Sequence, residues 1–210
     1  MKWRKRGLIF NYSGKDWNTF SAMYPTPEKL SNTEAKIYVS SRDEQGVGRI
    51  SYVNCDFSND ECKVIKVGES PFFDVGKPGA FDDNGCTLSS VVKVSDEIRY
   101  LYYSGYELGQ KVRYRNFSGL AISYDAGITF KRYSNAPILD RNDEEFCFRC
   151  APFVLLENGI FRMWYVAGSD WEEFADTKKP RYIIKYLESK DGIHWGGGRW
   201  QSLYRYPIRK

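Results

Sequence analysis

One phrase is written three times along the chain. It reads Ile37-Tyr38-Val39-Ser40-Ser41-Arg42-Asp43, then Leu101-Tyr102-Tyr103-Ser104-Gly105-Tyr106-Glu107, then Met163-Trp164-Tyr165-Val166-Ala167-Gly168-Ser169-Asp170. The starts are 64 and 62 residues apart. Such a period, filled with short aromatic strands, predicts an all-β fold of the β-propeller kind with one blade per repeat. The 210 residues hold about three such blades in one partial propeller domain, at 21–68, 87–133 and 149–203.

Each repeat divides into four strand-like runs separated by turn residues, giving four-stranded antiparallel blades. The runs are Ser21–Leu30, Ala35–Arg42, Gly48–Asp56 and Lys63–Gly68; Thr87–Val94, Ile98–Tyr106, Tyr114–Tyr124 and Thr129–Tyr133; Arg149–Leu156, Ile160–Ala167, Tyr182–Glu188 and Trp195–Leu203. Asn158-Gly159 predicts a tight hairpin, because both central residues of a primed turn need positive φ. Ser123-Tyr124-Asp125-Ala126-Gly127-Ile128-Thr129-Phe130 fits the Asp-box pattern S-x-D-x-G-x-T-[WF] of sialidase-type propellers, and Ser189-Lys190-Asp191-Gly192-Ile193-His194-Trp195 is one residue shorter. The Asp bonds the N–H groups of its own turn and Gly permits the left-handed residue, so Asp125 and Asp191 are structural. No helix of useful length is expected; Glu172–Lys179 has room for one turn in a loop.

Composition narrows the partners. The net charge of +4 comes largely from the ends, and acidic residues interrupt every basic stretch, which argues against nucleic acid. No segment approaches the apolar length of a membrane span, and Gly7-Leu8-Ile9-Phe10 is too short for a secretory core. Five scattered Cys read as free thiols of a cytoplasmic protein. Cys147-Phe148-Arg149-Cys150 has CxxC spacing, but no second pair and no nearby His completes a zinc shell, so both are expected to be ordinary strand residues. No metal and no cofactor is expected. Aromatics are 17% of the chain, with 16 Tyr. They suit packed sheets and also surfaces that stack on sugars.

In a propeller the first strand of each blade lines the central channel, so the residues just before 21, 87 and 149 are the candidates. They are Asp16, Trp17, Asn18 and Ser21; Gly79-Ala80-Phe81-Asp82-Asp83-Asn84-Gly85; and Asp143-Glu144-Glu145-Phe146 with Arg149. Carboxylates converging from several blades suit glycoside cleavage, where one protonated carboxyl serves the leaving oxygen and one carboxylate activates water or attacks. Asp82, Glu144 and Glu145 are the candidate catalytic acids. Trp17, Arg42, Asp43, Asp83 and Arg149 are the candidate substrate contacts, with Arg42 either at the channel mouth or paired with Asp43.

At these residues the chain resembles the five-bladed β-propeller glycosidase superfamily of arabinanases, β-xylosidases, invertase-like fructosidases and mannoside phosphorylases. It is most similar to an uncharacterised bacterial branch associated with surface-polysaccharide genes. The shared phrases are Trp3-Arg4-Lys5-Arg6-Gly7-Leu8-Ile9-Phe10, Tyr38-Val39-Ser40-Ser41-Arg42-Asp43, Gly79-Ala80-Phe81-Asp82-Asp83-Asn84-Gly85, Arg162-Met163-Trp164-Tyr165 and Glu188-Ser189-Lys190-Asp191-Gly192-Ile193-His194-Trp195. The resemblance implies three acids from successive blades acting as base or nucleophile, transition-state stabiliser and general acid. Asp82 and Glu144 or Glu145 match two of them. For the third the chain has only Asp16, and Ser21 stands where related sequences carry His. The implied activity is hydrolysis or transfer of an O-glycosyl bond in a poly- or oligosaccharide. The alternatives are a non-catalytic carbohydrate-binding or scaffold propeller and a truncated remnant. Three blades leave open sheet faces, which pairing with a second copy would cover.

Overall fold

The computed structural model describes residues 2–3, 5–12, 14, 16–59, 61–175, 177–196 and 201–202. Those residues form an all-β protein; the one helical piece is a 3-10 turn at Asp16–Asn18. The chain divides into two compact units. The first is Met1–Val75 with Cys86–Leu88, and the second is Gly76–Gly85 with Ser89–Lys210.

In the first unit, β1 (Phe20–Lys29), β2 (Glu34–Arg42), β3 (Gly48–Asp56) and β4 (Lys63–Val67) form a four-stranded antiparallel sheet in sequence order. Strand β1 is irregular, with two register shifts against β2 and positive φ at Ser21 and Tyr24. Strands β2 and β3 carry the core residues Tyr38, Val39, Ile50, Val53 and Cys55. Ile50 also bridges to Phe73. The Ser40 hydroxyl accepts the Leu88 N–H at 2.8 Å, which ties β2 to the short 86–88 stretch.

The second unit holds β5 (Cys86–Lys93, from Ser89 onward), β6 (Arg99–Leu108), β7 (Tyr114–Ser123) and β8 (Lys131–Arg132). It continues with β9 (Phe148–Glu157), β10 (Ile160–Gly168), β11 (Trp171–Phe174), β12 (Thr177–Pro180), β13 (Ile183–Ser189) and β14 (Gln201–Ser202). Strands β5 to β8 make one group, and β9, β10, β13 and β14 another. They join into one eight-stranded sheet through a short parallel contact between β7 and β9, at Asn116 with Phe148 and Phe117 with Arg149. Serine hydroxyls reinforce that junction. Ser104 accepts the Ala151 N–H at 2.8 Å, Ser118 donates to the Arg149 carbonyl at 2.8 Å, and Ser90 donates to the Pro152 carbonyl at 2.9 Å. Around them Tyr102, Leu120, Val154, Phe161, Met163, Tyr165 and Leu187 make one core. Burial alternates residue by residue along β10, as a strand with one core face requires.

Ser40 and Ser104 are separated by the same 64 residues as the repeat; Ser40 takes the Leu88 N–H within the first unit, and Ser104 takes the Ala151 N–H within the second. The third copy of the phrase has Val166 at this position.

The Asn158-Gly159 turn forms as expected, with φ of 52° and 76° joining β9 to β10. Both Asp boxes also close as expected. Asp125 Oδ1 accepts the Ser123 hydroxyl at 2.6 Å and the Thr129 N–H at 2.9 Å; Asp191 Oδ1 accepts the Ile193 and His194 N–H groups, each at 2.9 Å.

The segment Glu172–Lys179 departs from expectation. Instead of one turn it lies within the antiparallel hairpin β11–β12. Glu172 faces Lys179 and Glu173 faces Lys178 across the strands, while the Trp171 ring packs 5.2 Å from Tyr114 and 5.5 Å from Phe148. Opposite charges in cross-strand register and an aromatic anchor favour the hairpin. The last expected strand, Trp195–Leu203, is seen only at Gln201–Ser202; Leu203, 197–200 and the terminal basic residues Arg205, Arg209 and Lys210 lie outside the described residues.

Candidate functional site

The loop Gly79–Gly85 is a run of tight turns. Ala80 N–H bonds the Lys77 carbonyl at 2.9 Å and Asp83 N–H the Ala80 carbonyl at 3.2 Å; Gly79 and Gly85 hold φ of 87° and 135°. Phe81 fixes the loop to its sheet. Its ring stacks on Tyr103 at 5.8 Å, and the space it occupies exists because Gly105 and Gly119 carry no side chains. Asp82 is carried inward by this anchoring and is 0% exposed. Its Oδ2 accepts Arg132 Nε at 2.8 Å. Its Oδ1 has no hydrogen-bond partner and lies against Gly76, where a Cβ would come within 2.1 Å. Asp83 stays half-buried, with Oδ2 on the Gly79 N–H at 2.8 Å and Asn84 donating to Oδ1. The two neighbouring acids therefore occupy different settings. One is sealed against a guanidinium, and the other caps its own turn at the surface.

The second cluster is built on the loop before β9. Asn142 Oδ1 accepts the N–H groups of Glu144 and Glu145, at 3.0 and 2.7 Å. Ser169 accepts the Phe146 N–H at 2.9 Å and donates to the Glu144 carbonyl at 2.8 Å. This backbone sends consecutive carboxylates in opposite directions. Glu145 turns in, is 2% exposed, and meets Arg149 Nε at 2.7 Å, Tyr165 Oη at 3.0 Å and Lys185 Nζ. Burial, and after it the Glu145 charge, push the Tyr165 phenol well above its ordinary range, so Tyr165 stays a donor. Arg149 is held further by the Asp140 carbonyl at 2.5 Å. The Glu144 side chain is 82% exposed, with its carboxylate 3.7 Å from Lys185 Nζ and the half-exposed Phe146 ring two positions along the chain. The arrangement presents one accessible acid on a base of two buried cations and one buried anion.

The first unit contains a cleft of about 610 Å³ lined by Asp16, Trp17, Asp43, Glu44, Gln45, Arg49, Pro71 and Asp74. It unites two of the expected contacts, Trp17 and Asp43. Asp43 Oδ1 accepts the N–H groups of Gln45 and Val47, at 3.0 and 2.9 Å. Burial alone would raise the Asp43 pKa, but the Arg49 and Val47 hydrogen bonds outweigh it and hold the carboxyl below its usual range. The expected Arg42–Asp43 pair is replaced. Arg49, directly across the sheet from Ser41, reaches Asp43 at 2.7 Å and Asp74 at 2.7 Å. Arg42 ends β2 half-buried, opposite Phe20 and Gly48.

Sequence reading missed Arg49, Arg132, Tyr165 and Lys185. Lys185 left a signal: it shares a strand face with the buried Leu187, where an apolar residue is the default. Arg132 left none, because its partner is 50 residues away. Of the two expected strand residues, Cys150 lies on β9 and Cys147 just before it; both are buried against Phe148, and burial pushes the Cys150 thiol up to about 12. Among the described residues no group of three or more acidic, His or Cys side chains is placed to hold a metal ion.

No protein-family model matches the chain. Two uncharacterised proteins of Mycobacterium tuberculosis are each 36% identical over 196 residues, which is 93% of this chain and 64% of theirs. The chain thus spans less than two thirds of these curated relatives. Among solved structures, a glycoside hydrolase superposes with a TM-score of 0.66 at 13% identity, over 92% of this chain and 60% of that one. Fructan 1-exohydrolase IIa from Cichorium intybus gives 0.61 at 14% identity, over 89% and 32%. A family 117 glycoside hydrolase from Zobellia galactanivorans gives 0.59 at 12% identity, over 93% and 60%. At such low identities the likeness is one of fold, and the chain has a glycoside-hydrolase-like all-β fold.

Proposed function

We propose that this chain is the partial propeller of a carbohydrate-active protein, glycoside hydrolase-like, that acts on a poly- or oligosaccharide through carboxylate acid/base chemistry. The three strand groups are read as blades of a five-bladed glycosidase-type propeller. Glu144 is the acid available to substrate, Phe146 the stacking surface beside it, and Asp83 the accessible acid of the Gly79–Gly85 loop. Glu145 and Asp82 support these loops from within. The observation that carries the reading is the split between consecutive acids. A substrate-facing carboxyl needs solvent access, which Glu144 has, and a fixed backbone, which the buried Glu145 pair supplies.

The test is incubation of the purified chain with an oligosaccharide library, products being read by mass spectrometry. Glu144→Gln is expected to abolish product formation and to retain glycan binding. Undiminished turnover by that variant removes Glu144 from the chemistry.

A second reading, a non-catalytic carbohydrate-binding propeller, is favoured by the burial of Asp82 and Glu145 in ion pairs. It predicts saturable glycan binding, measured by calorimetry, with no reducing ends released on long incubation. Trp17 and the Asp43–Arg49–Asp74 group would then be the contact surface of the first unit. An aromatic face with ordered carboxylates suits sugar hydroxyls.

A further inference from the structure

The proposed sugar chemistry makes no use of two cysteines at the far end of the first sheet. Cys55 lies on β3, opposite Val64 of β4, and the next pair in register is Asp56 with Lys63. Cys62 directly precedes Lys63, so Cys55 and Cys62 are diagonal neighbours whose side chains leave the same face of the hairpin. A register shift between Asn54 and Cys55 marks a bulge there, and bulges tighten the local twist. The two thiols are near enough for Cys62 to act on the Cys55 titration. Their surroundings differ sharply. Cys55 is fully buried, and burial, followed by the neighbouring Cys62 thiol, pushes its thiol up to about 12. Cys62 is partly exposed and lines a cleft with Lys5, Arg6, Phe57 and Glu61. Partial exposure beside cationic side chains is the setting in which cysteines react, while a buried apolar thiol is inert until a bond forms next to it.

We propose that Cys62 and Cys55 form a two-cysteine oxidation site that converts a hydroperoxide encounter into an intramolecular disulfide. In the first step the Cys62 sulfur attacks hydrogen peroxide, the O–O bond breaks, Cys62 becomes a sulfenic acid, and its thiol proton leaves with the other hydroxyl as one water. In the second the Cys55 sulfur attacks that sulfenic sulfur, its proton leaves with the hydroxyl as a second water, and the S–S bond forms. Two thiols lose two electrons in total and one peroxide gains them. The product ties the end of β3 to the start of β4.

The experiment treats the purified full chain with hydrogen peroxide, blocks remaining thiols with an alkylating reagent, and maps peptides by mass spectrometry. The expected result is loss of two of the five free thiols as a Cys55–Cys62 linked peptide that a dithiol reductant restores. Cys55→Ser is expected to leave Cys62 as a sulfenic acid trapped by a dimedone probe, and Cys62→Ser to slow thiol loss at least tenfold. A linked peptide that joins Cys147 to Cys150, or wild-type Cys62 oxidised with Cys55 still free to alkylate, overturns the assignment. Circular dichroism of both variants confirms that any lost reactivity is not lost fold.

Discussion

Lys185 stands between two adjacent glutamates: its ammonium is bonded to Glu145 and lies 3.7 Å from Glu144. One side chain thus serves a buried carboxylate and an exposed one. The energetic consequences of removing the two acids should differ widely, because a buried charge needs its partner and a surface charge has water.

Glu145→Ala should therefore be costly. It deletes the carboxylate that Arg149 and Lys185 share and leaves those cations in a site with little water. The loss is expected at about 3–5 kcal/mol, measured by urea unfolding. Glu144→Ala should change stability by less than about 0.5 kcal/mol. Equal losses in the two variants would contradict the inward and outward split.

Asp82→Asn tests the sealed acid. The amide fills the same volume but no longer offers a charge to Arg132. Arg132 is 22% exposed at its side chain, so water can recover part of the interaction, and the expected loss is about 1–3 kcal/mol. A thermal melt unchanged from wild type would show that the ion pair contributes nothing.

The limits of sequence reading can be traced to particular residues. The strands were legible because Tyr38, Tyr102 and Trp164 hold the same position of the repeated phrase, and because burial alternates along β10. The Asp boxes were legible because all their bonds are local. The direction of each acid was not. Glu144 and Glu145 differ by one position, and their fates are set by Asn142, Ser169 and Lys185, of which Ser169 and Lys185 are distant in sequence. Likewise Arg42 stands beside Asp43 in the chain, yet the pleat directs Arg49 of the next strand to that carboxylate. Long-range charge pairing has no period and so leaves no pattern to read.

The Asp boxes give a pH dependence of definite sign. Hydrogen bonds from Ser123, then from Thr129, hold the Asp125 carboxyl far below its ordinary range. Burial works against Asp191, but the bonds from His194 and Ile193 prevail and lower it as well. A folded-state pKa below the unfolded one contributes stability that is complete above the ordinary carboxylate range and is lost as pH falls through the folded value. Asp125→Asn is expected to lower Tm at neutral pH and to flatten the fall in Tm between about pH 5 and pH 2. A wild-type slope in that variant would exclude the box as a source of acid sensitivity.

The space under Phe81 is supplied by Gly105 and Gly119. Gly119 has an ordinary backbone conformation, so its role is room rather than φ; a Cβ there would sit 2.3 Å from the Tyr103 ζ carbon and 2.6 Å from the Phe81 ζ carbon. Both rings are buried and have nowhere to retreat. Gly119→Ala is expected to destabilise by about 1–3 kcal/mol through overpacking. Shortening the displaced ring should return part of that loss, so Phe81→Leu combined with Gly119→Ala should be less harmful than the sum of the two changes. Because Phe81 carries Asp82 and Asp83 with it, Gly119→Ala should also weaken the glycan binding proposed above. Additive stabilities in the double variant, read from urea midpoints at constant slope, would show that Phe81 does not rest on Gly119 and would detach the acidic loop from the sheet beneath it.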